Sequence, residues 1–543
     1  MPRKLFMNNR PLALINKGHI AIVLAVSCAW LPASLTAQTP LPSSIDSAST
    51  SLPQLGDGSE LASADERRLG DRIAAELFRD PDYLDDPVLA DYVQGVWQPL
   101  LAAARLRGDL TPELDERFAW HIMLGRDRTV NAFALPGGYL GVNLGLLAVV
   151  SSRDELASVL GHELSHVTQR HIARLIAKDS AQTPWLIGAM ILGALAASKS
   201  ADAGSALMVG GQAVAAQNQL NFSRDMEREA DRVGFGVMTQ AGFDAQGFVT
   251  MFDKLQQAAR LNDSGNYPYL RSHPLTTERI ADMQSRLPLG APHAVAAAPT
   301  LLHAMMSTRA KVLSNPGVDA LRSWLAQADD AGSRVLPVAQ QVGTVYGAAL
   351  AASLLREPVL ARRYLTRLQT LTAVDMQATA PVRWLGAEID LNARDLTPVQ
   401  LASLATSLGL TQGASLPLAQ MRRPLLILQA QLALQLHQAD ILSQSVQNLQ
   451  TWLTTQPQDA LVWQTLAGLY GAQQQGLRAL RAEAEAQAAR LDYTGAMDRL
   501  RAAQDLMRSN EALGRAADHI DASIIDTRQR QIADLLKQQA LKQ

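Results

Sequence analysis

This sequence of 543 residues has a single cysteine, few aromatic side chains and almost no net charge. Aromatic residues make up 5% of the chain, and 49 basic side chains stand against 51 acidic ones, for a net charge of −2. A nearly neutral chain has no basic footprint for nucleic-acid phosphates or anionic lipid. We therefore expect no nucleic-acid partner. The 48% share of hydrophobic residues instead indicates a globular protein of several domains.

The single cysteine, Cys28, lies in an amino-terminal segment with the pattern of a secretory signal peptide. Basic residues precede an apolar run from Ile20 to Leu31, and small residues follow as far as Ala37. The run is shorter than the roughly 20 residues that a membrane-spanning helix needs. We therefore predict a cleavable signal peptide over residues 1–37, followed by a flexible leader over residues 38–61.

Export has two consequences for the mature chain. Removing four basic residues and no acidic one leaves 45 basic against 51 acidic residues, a net charge of −6. With Cys28 removed, no internal disulfide can form, so the core and a bound metal must stabilise the fold. In the alternative interpretation, Cys28 carries a lipid in a degenerate lipobox, but Ala25, three residues earlier, fits that motif poorly.

Hydrophobic periodicity divides the rest of the chain into two predicted domains. Residues 62–300 show long helical patterns and short apolar runs near 118–124, 132–135 and 139–142, which predict a small sheet. Residues 305–543 are rich in Ala, Leu and Gln, which predicts helices packed through small residues. The fold class is therefore an α+β domain, mostly helical with a small sheet, followed by an all-α repeat domain.

The second domain contains copies of a tetratricopeptide (TPR) pattern with a period of about 34 residues. Trp463-Gln-Thr-Leu-Ala-Gly-Leu-Tyr470 matches its first helix, and Ala433 and Leu436 lie one period earlier. Stacked repeats of this kind form a concave surface that binds extended peptide or protein. A plain helical bundle is the alternative, because the intervening copies are degenerate.

The segment from Trp185 to Ala197 is apolar on all sides but too short to span a bilayer. It is interpreted either as a buried helix packed on the catalytic helices or as a patch that contacts membrane or an unfolded client.

The strongest chemical pattern is His162-Glu163-x-x-His166, inside an amphipathic stretch from Asp154 to His171. Residues four apart share one face of a helix, so the two imidazoles can bind one Zn²⁺. Glu163 then flanks the metal, where a carboxylate can deprotonate the water that attacks a peptide carbonyl. The pattern predicts a zinc metallopeptidase with His162 and His166 as ligands and Glu163 as general base.

A third ligand is predicted in the acidic run from Ser223 to Asp231. Glu227 and Asp231 lie four apart on a second helix, and Glu227 completes a His₂Glu set with one position left for water. Asp231 is predicted to orient a ligand histidine through its spare N–H, and we group it with Glu163 as catalytic. Glu229 competes with Glu227 by proximity, and a solvated helix face is the alternative for the whole run.

These motifs together resemble the HtpX and CAAX-prenyl-protease class of zinc metallopeptidases. The resemblance is carried by the H-E-x-x-H element, by Glu227-x-x-Ala230-Asp231-x-x-Gly234, and by Asn131-Ala-Phe-Ala-Leu-Pro-Gly-Gly138 upstream. The family pattern favours Glu227 over Glu229 as the ligand. With the signal peptide and the repeats, the resemblance narrows to the periplasmic BepA (YfgC) type, the beta-barrel assembly-enhancing proteases, and covers most of residues 62–540.

The resemblance implies that residues 62–300 form a zincin-like metallopeptidase domain. It also implies a periplasmic endopeptidase with a chaperone-like role and one Zn²⁺ per chain. Its implied partners are the barrel-assembly machinery and outer-membrane barrel proteins, whose assembly it promotes and whose stalled forms it degrades. An unfolded client strand is expected to pair with an edge strand around residues 139–142, where Gly141 leaves room. The alternative function is a non-proteolytic TPR chaperone or scaffold with a silent or latched zinc site.

Three further residues have two interpretations each. His273, in a loop before Pro274, is interpreted as a regulatory fourth ligand that latches the resting site, or as a structural loop residue. Arg279 either supports the fold or polarises the scissile carbonyl. His171 lies five residues after His166, off the ligand face, and is expected to pack on the surface or behind the ligands.

Overall fold

The structure is a computed structural model that describes residues 61–178, 223–260, 266–287, 299–393, 396–410, 416–513 and 519–540. The predicted signal peptide and the apolar segment 185–197 lie outside these residues, as does nearly all of the predicted leader. Within the described ranges, no helix combines the length and the apolar character that crossing a membrane requires.

The first region consists of helices around one small sheet. Its helices are α1 Ser63–Arg79, α2 Pro87–Arg107, α3 Pro112–Arg117, α4 Leu144–Val149, α5 Arg153–Thr168, α6 His171–Lys178, α7 Arg224–Gln240, α8 Gln246–Arg260, α9 Tyr269–Ser272 and α10 Thr277–Ser285. Its strands are β1 Tyr83–Leu84, β2 His121–Gly125, β3 Ala132–Leu135 and β4 Tyr139–Asn143.

The sheet has the order β1-β2-β4-β3, with β2 and β4 parallel and the other pairs antiparallel. The prediction that residues 139–142 form an edge strand is therefore wrong, because β4 is internal, between β2 and the outer strand β3. Gly141 makes room for a neighbouring strand and not for a client. A Cβ atom at Gly141 would lie 2.1 Å from the Phe133 ring of β3.

Helix α5 lies in the centre of this region. Ser152 caps its first turn by accepting a hydrogen bond from the Glu155 N–H, and residues 155–168 are all buried. On one side α5 packs against α7, where Gly161 and Gly234 face each other. A Cβ atom at Gly234 would lie 2.9 Å from the backbone carbon of Gly161, so the two helices are as close as glycine allows.

The second region is helical throughout its described residues. Its leading helix, α11, packs on α4 and α2 of the first region, and the helices after it pack largely on their sequence neighbours. Leu466, Ala467 and Tyr470 of the predicted TPR helix are buried. The predicted fold class, an α+β peptidase region followed by an all-α region, is confirmed. The helices are α11 Leu301–Ser314, α12 Val318–Asp329, α13 Val338–Leu354, α14 Pro358–Thr372, α15 Met376–Asn392, α16 Pro398–Ser407, α17 Arg423–Leu436, α18 Ala439–Thr455, α19 Ala460–Ala472, α20 Gly476–Ala489, α21 Tyr493–Ala512 and α22 His519–Ala540.

Candidate metal centre

Helices α5 and α7 bring the predicted ligands together. The Nε2 atoms of His162 and His166 lie 3.0 Å apart, as expected for side chains one turn apart on α5. Glu227, in the first turn of α7, places Oε2 3.5 Å from His162 Nε2 and Oε1 3.5 Å from His166 Nε2. All three side chains are at most 2% exposed. The predicted His₂Glu set therefore converges on one point between the two helices.

His273 completes a group of four. It follows α9, and its Nδ1 lies 3.3 Å from His162 Nε2 and 3.0 Å from Glu227 Oε1. One ligand atom from each of His162, His166, Glu227 and His273 lies within 4.8 Å of all the others, and all four residues are buried. The sequence left two interpretations open for His273, a fourth ligand or a structural loop residue, and the structure brings its side chain into this group.

The loop that carries His273 is anchored next to the outer strand of the sheet. The Val130 N–H donates to the Asn266 carbonyl oxygen at 2.8 Å, and the Tyr269 N–H donates to the Val130 carbonyl oxygen at 3.3 Å. The Tyr269 ring stacks on the His273 imidazole, with the centroids 4.6 Å apart. These contacts hold the imidazole over the site and place the loop beside the start of β3.

Asp231 and Arg279 stand behind His162. Asp231 Oδ1 lies 2.9 Å from His162 Nδ1, the ring nitrogen that faces away from the other ligands. Arg279, on α10, donates from Nε and Nη2 to the two Asp231 oxygens at 2.6 and 2.8 Å, and its Nη1 lies 2.8 Å from Glu227 Oε2. Arg279 is 3% exposed and its guanidinium is committed to these carboxylates. The geometry supports the structural interpretation of Arg279 over contact with a substrate carbonyl.

Glu163 is completely buried, and neither of its carboxylate oxygens has a hydrogen-bond partner among the described residues. His273 Nε2 lies 3.5 Å from Glu163 Oε1. A buried carboxylate without hydrogen bonds costs several kcal/mol unless a cation or a bound water compensates for it. Two imidazoles and one carboxylate are also the donor set of catalytic zinc sites. On both counts, the residues present fit a bound metal ion.

The electrostatic environment prepares the ligands for a cation. Burial raises the pKa of Glu227, but His273 and His162 outweigh that effect and hold the pKa well below 4.5. Burial and the neighbouring His162 hold the pKa of His166 well below 6.5. Burial also lowers the pKa of His162, yet Asp231 and Glu227 raise it to about 9. At neutral pH the carboxylate is thus ionised and His166 neutral, the forms that bind a metal, and metal binding has to displace a proton from His162.

His171 and Glu229 form a second group behind His166. His171 is completely buried, and its Nδ1 lies 2.9 Å from His166 Nδ1. Glu229 lies on the far side of His171 and pairs with Arg174, so it does not join the four-residue group. The sequence expectation for His171 left its place open between the surface and the region behind the ligands. The five-residue spacing alone does not predict the contact between His166 and His171, because that contact depends on the turn between α5 and α6.

Comparisons with known proteins agree with this geometry. The profile of peptidase family M48 matches residues 99–287. A putative beta-barrel assembly-enhancing protease of Vibrio cholerae is 33% identical over 322 residues, which is 58% of this chain and 63% of that protein. The beta-barrel assembly-enhancing protease of Escherichia coli is 31% identical over 400 residues, 70% of this chain and 77% of that protein.

Another relative matches a shorter stretch of the chain. The mitochondrial metalloendopeptidase OMA1 of Arabidopsis thaliana is 33% identical over 165 residues, or 30% of this chain. The prediction of a metalloendopeptidase is thereby confirmed at the level of the family. The chain belongs to the family of the beta-barrel assembly-enhancing proteases, and its residues 99–287 form a domain of peptidase family M48.

Proposed function

We propose that this protein is a periplasmic zinc endopeptidase that binds one Zn²⁺ per chain through His162, His166 and Glu227. The observation that carries the proposal is the buried four-residue group beside Glu163, whose carboxylate has no hydrogen-bond partner among the described residues. The names of the two bacterial relatives support a role in the assembly of outer-membrane barrel proteins. We propose unfolded or stalled barrel proteins as substrates and the barrel-assembly machinery as a partner.

The residues of the chain divide the chemistry of peptide hydrolysis among them. A bound zinc ion supplies a Lewis acid that lowers the pKa of an attacking water. Glu163, buried and without a hydrogen-bond partner among the described residues, would accept the proton of that water and deliver it to the leaving nitrogen. Asp231 holds the His162 ring in one orientation, and Arg279 balances the charge of Asp231 and Glu227.

A client strand is proposed to bind beside β3, which replaces the expected pairing at residues 139–142. Over the described residues, β3 is one of the two outer strands of the sheet, opposite the two-residue β1, and it packs against α5. An extended peptide that hydrogen-bonds to β3 as an added strand passes its carbonyl groups over the helix that carries Glu163. Backbone pairing is insensitive to side chains, which suits a protease whose clients share only an unfolded state. Contact between residues 185–197 and the membrane stays a proposal, as does the TPR identity of the repeats.

His273 is proposed to latch the site in its resting state. Its imidazole lies where a water or a substrate carbonyl has to enter, 3.0 Å from Glu227 Oε1 and 3.5 Å from Glu163 Oε1. The hydrogen bonds of its loop to Val130 also place that loop close to the proposed client site at β3. Withdrawal of the loop would therefore free the fourth ligand position and the strand edge together.

Zinc analysis of the purified mature protein tests the proposal. Wild type is compared with His162→Ala and Glu227→Ala by elemental analysis after metal-replete purification. We expect about one zinc per chain in wild type and a sharp loss in both variants. No zinc in wild type would contradict the enzyme proposal and leave the scaffold function.

A chaperone or scaffold function is the second candidate, and a groove in the helical region favours it. The groove lies between α14, α15 and α16, has a volume of about 590 Å³ and carries polar side chains such as Arg383, Gln400 and Ser403 along its walls. Glu163→Gln separates the two functions, because it removes the base and leaves the groove intact. Lost proteolysis with retained client assembly would show that both functions reside on one chain.

A further inference from the structure

A left-handed turn between α5 and α6 brings His171 back under the metal ligands. Arg170 has a φ of 52°, a conformation that costs a non-glycine residue about 1 kcal/mol or more. Its side chain pairs with Glu66 at 3.1 Å and donates to the Leu61 carbonyl oxygen, which holds the turn in place. The first residue of α6 therefore points into the core, and His171 is completely buried.

The protons of this group can be assigned from the ligand geometry. His166 directs Nε2 at Glu227 and His162, so in a metal-bound site Nε2 is unprotonated and Nδ1 carries the hydrogen. His166 Nδ1–H then donates to His171 Nδ1 at 2.9 Å. His171 in turn carries its hydrogen on Nε2, which donates to Glu229 Oε2 at 3.1 Å. Every donor in this series faces an acceptor.

The arrangement behind His166 repeats the one behind His162 with a different acceptor. Behind His162 the order is acceptor Asp231, then cation Arg279. Behind His166 the order is acceptor His171, then Glu229, then cation Arg174, whose Nη1 lies 2.9 Å from Glu229 Oε2. A neutral imidazole thus takes the place that a carboxylate occupies behind the first ligand.

We infer that His171 is a positioning residue for the metal, one that fixes the tautomer and ring orientation of His166. This inference rests on the proposed zinc site and extends it. His171 does not reach the substrate, and it acts through the ligand that it orients. Partners of this kind commonly change metal affinity by 10- to 100-fold when they are removed. His171 therefore determines how tightly and how long the chain holds its metal.

Two substitutions of His171 separate its acceptor from its volume. His171→Phe fills the space and removes the acceptor, whereas His171→Asn places Oδ1 near the position of Nδ1. The zinc dissociation constant is measured by competition with a chromophoric chelator, together with the rate of zinc loss and the visible spectrum of the cobalt-substituted protein. We expect zinc binding about 10- to 100-fold weaker in His171→Phe, and most of the affinity restored in His171→Asn.

Three results would overturn the inference. Zinc affinity of a folded His171→Phe within about threefold of wild type means that the acceptor has no role. Equal losses in His171→Phe and His171→Asn mean that packing, not hydrogen bonding, matters. Absence of zinc from wild type removes the proposed metal site and this inference with it, which distinguishes the two failures. If His171→Phe does not fold, zinc affinity is measured instead in Glu229→Ala, at the partly exposed end of the series. An unchanged zinc affinity in that variant also overturns the inference.

Discussion

Asp231 connects His162, a proposed metal ligand, to the buried cation Arg279, so its charge serves the proposed metal site and the fold together. In Asp231→Asn, His162 loses an anionic acceptor and Arg279 loses its bidentate partner. We expect zinc affinity to fall about 10- to 100-fold and the metal-free protein to lose about 3–5 kcal/mol of unfolding free energy. Chelator competition and urea denaturation measure the two effects.

The control for this substitution is Asp282→Asn, at a partly exposed position on α10. Asp282 pairs with Arg286 one turn away, and both side chains are about one-third exposed. We expect a change below about 1 kcal/mol and unchanged zinc affinity. Equal effects at Asp231 and Asp282 would show that the buried network contributes nothing special to the site.

His273→Ala tests the latch. If the latched state holds about 90% of the molecules, opening it raises the apparent turnover of an unfolded substrate about tenfold. The other three ligands remain, so zinc content should stay near wild type. His519→Ala, at an exposed position on α22, is the control and should leave turnover unchanged. A fall in turnover with zinc retained would contradict the latch and point to a direct catalytic contribution from His273.

At the scale of single residues, the sequence predicts those side-chain positions that local spacing determines. The four-residue steps from His162 to His166 and from Glu227 to Asp231 place side chains on one helix face, whatever the rest of the fold. The role of His171 depends on the left-handed turn at Arg170, and that of Arg279 on the placement of α10 against α7. Neither arrangement has a local pattern, so sequence reasoning left both residues with open interpretations.

Among the elements, the crossing of α5 and α7 determines the ligand geometry. Gly234→Ala places a Cβ atom 2.9 Å from the backbone of Gly161, where no flexible side chain can yield. We expect a loss of about 1–3 kcal/mol from overpacking, and weaker zinc binding because Glu227 moves away from the histidines. Urea denaturation and zinc titration check both. Gly471→Ala on α19 has nothing within 4 Å of the new Cβ, and should stabilise by about 0.5–1 kcal/mol. A stable, tightly binding Gly234→Ala would contradict this account.

Sheet order shows where element-level prediction ends. Alternating apolar runs and the Pro136-Gly-Gly138 turn located β2, β3 and β4 closely, because strand formation follows local pattern. Which strand lies at the edge depends on pairing between segments distant in sequence, here the parallel pairing of β2 with β4. The pattern of residues 139–142 contains no information on that partner, and the predicted edge was therefore wrong.

Helix α11 packs on the first region through a neutral histidine, and we therefore expect the stability of the fold to depend on pH. His303 Nδ1 lies 2.6 Å from the Tyr92 hydroxyl, and its Nε2–H donates to the Val150 carbonyl oxygen at 2.8 Å. Burial lowers the pKa of His303 below 6.5. The unfolded chain therefore takes up a proton that the folded one does not. This contribution to stability is fully present above pH 6.5 and is lost as the pH falls below it, by at most about 1.4 kcal/mol per pH unit.

His303→Gln tests this dependence. Unfolding free energies of the metal-free protein are measured near pH 7.5 and 5.5 for wild type and variant. Other histidines such as the half-buried His121 also have a lowered pKa and contribute with the same sign, so the informative quantity is the difference between the two slopes. We expect a shallower slope in the variant. Parallel slopes would contradict the proposed role of His303.

At the scale of the whole molecule, two arginines join the helical region to the head of α2. Arg423 pairs bidentately with Asp85 and with Asp459, at distances of 2.6–2.9 Å. Arg309 does the same with Asp86 and Glu388, at 2.7–2.9 Å. The acidic partners Asp85 and Asp86 are adjacent in the chain, whereas Glu388 and Asp459 lie about 300 residues or more further along it. These contacts give the residues before and after position 300 a shared and partly ionic core.

Arg309→Met tests whether this junction stabilises the molecule as one unit. The substitution keeps most of the side-chain volume and leaves Asp86 and Glu388 without their cation, at a position where Arg309 is 4% exposed. We expect a loss of about 3–5 kcal/mol of unfolding free energy, with amide exchange in α13 and α15 rising before exchange in α5. Arg363→Met removes a pair with Asp329 whose side chains are both more than half exposed, and should cost less than about 1 kcal/mol. A loss at Arg309 no larger than at Arg363, or uniform exchange across both regions, would show that apolar packing alone joins the repeats to the peptidase.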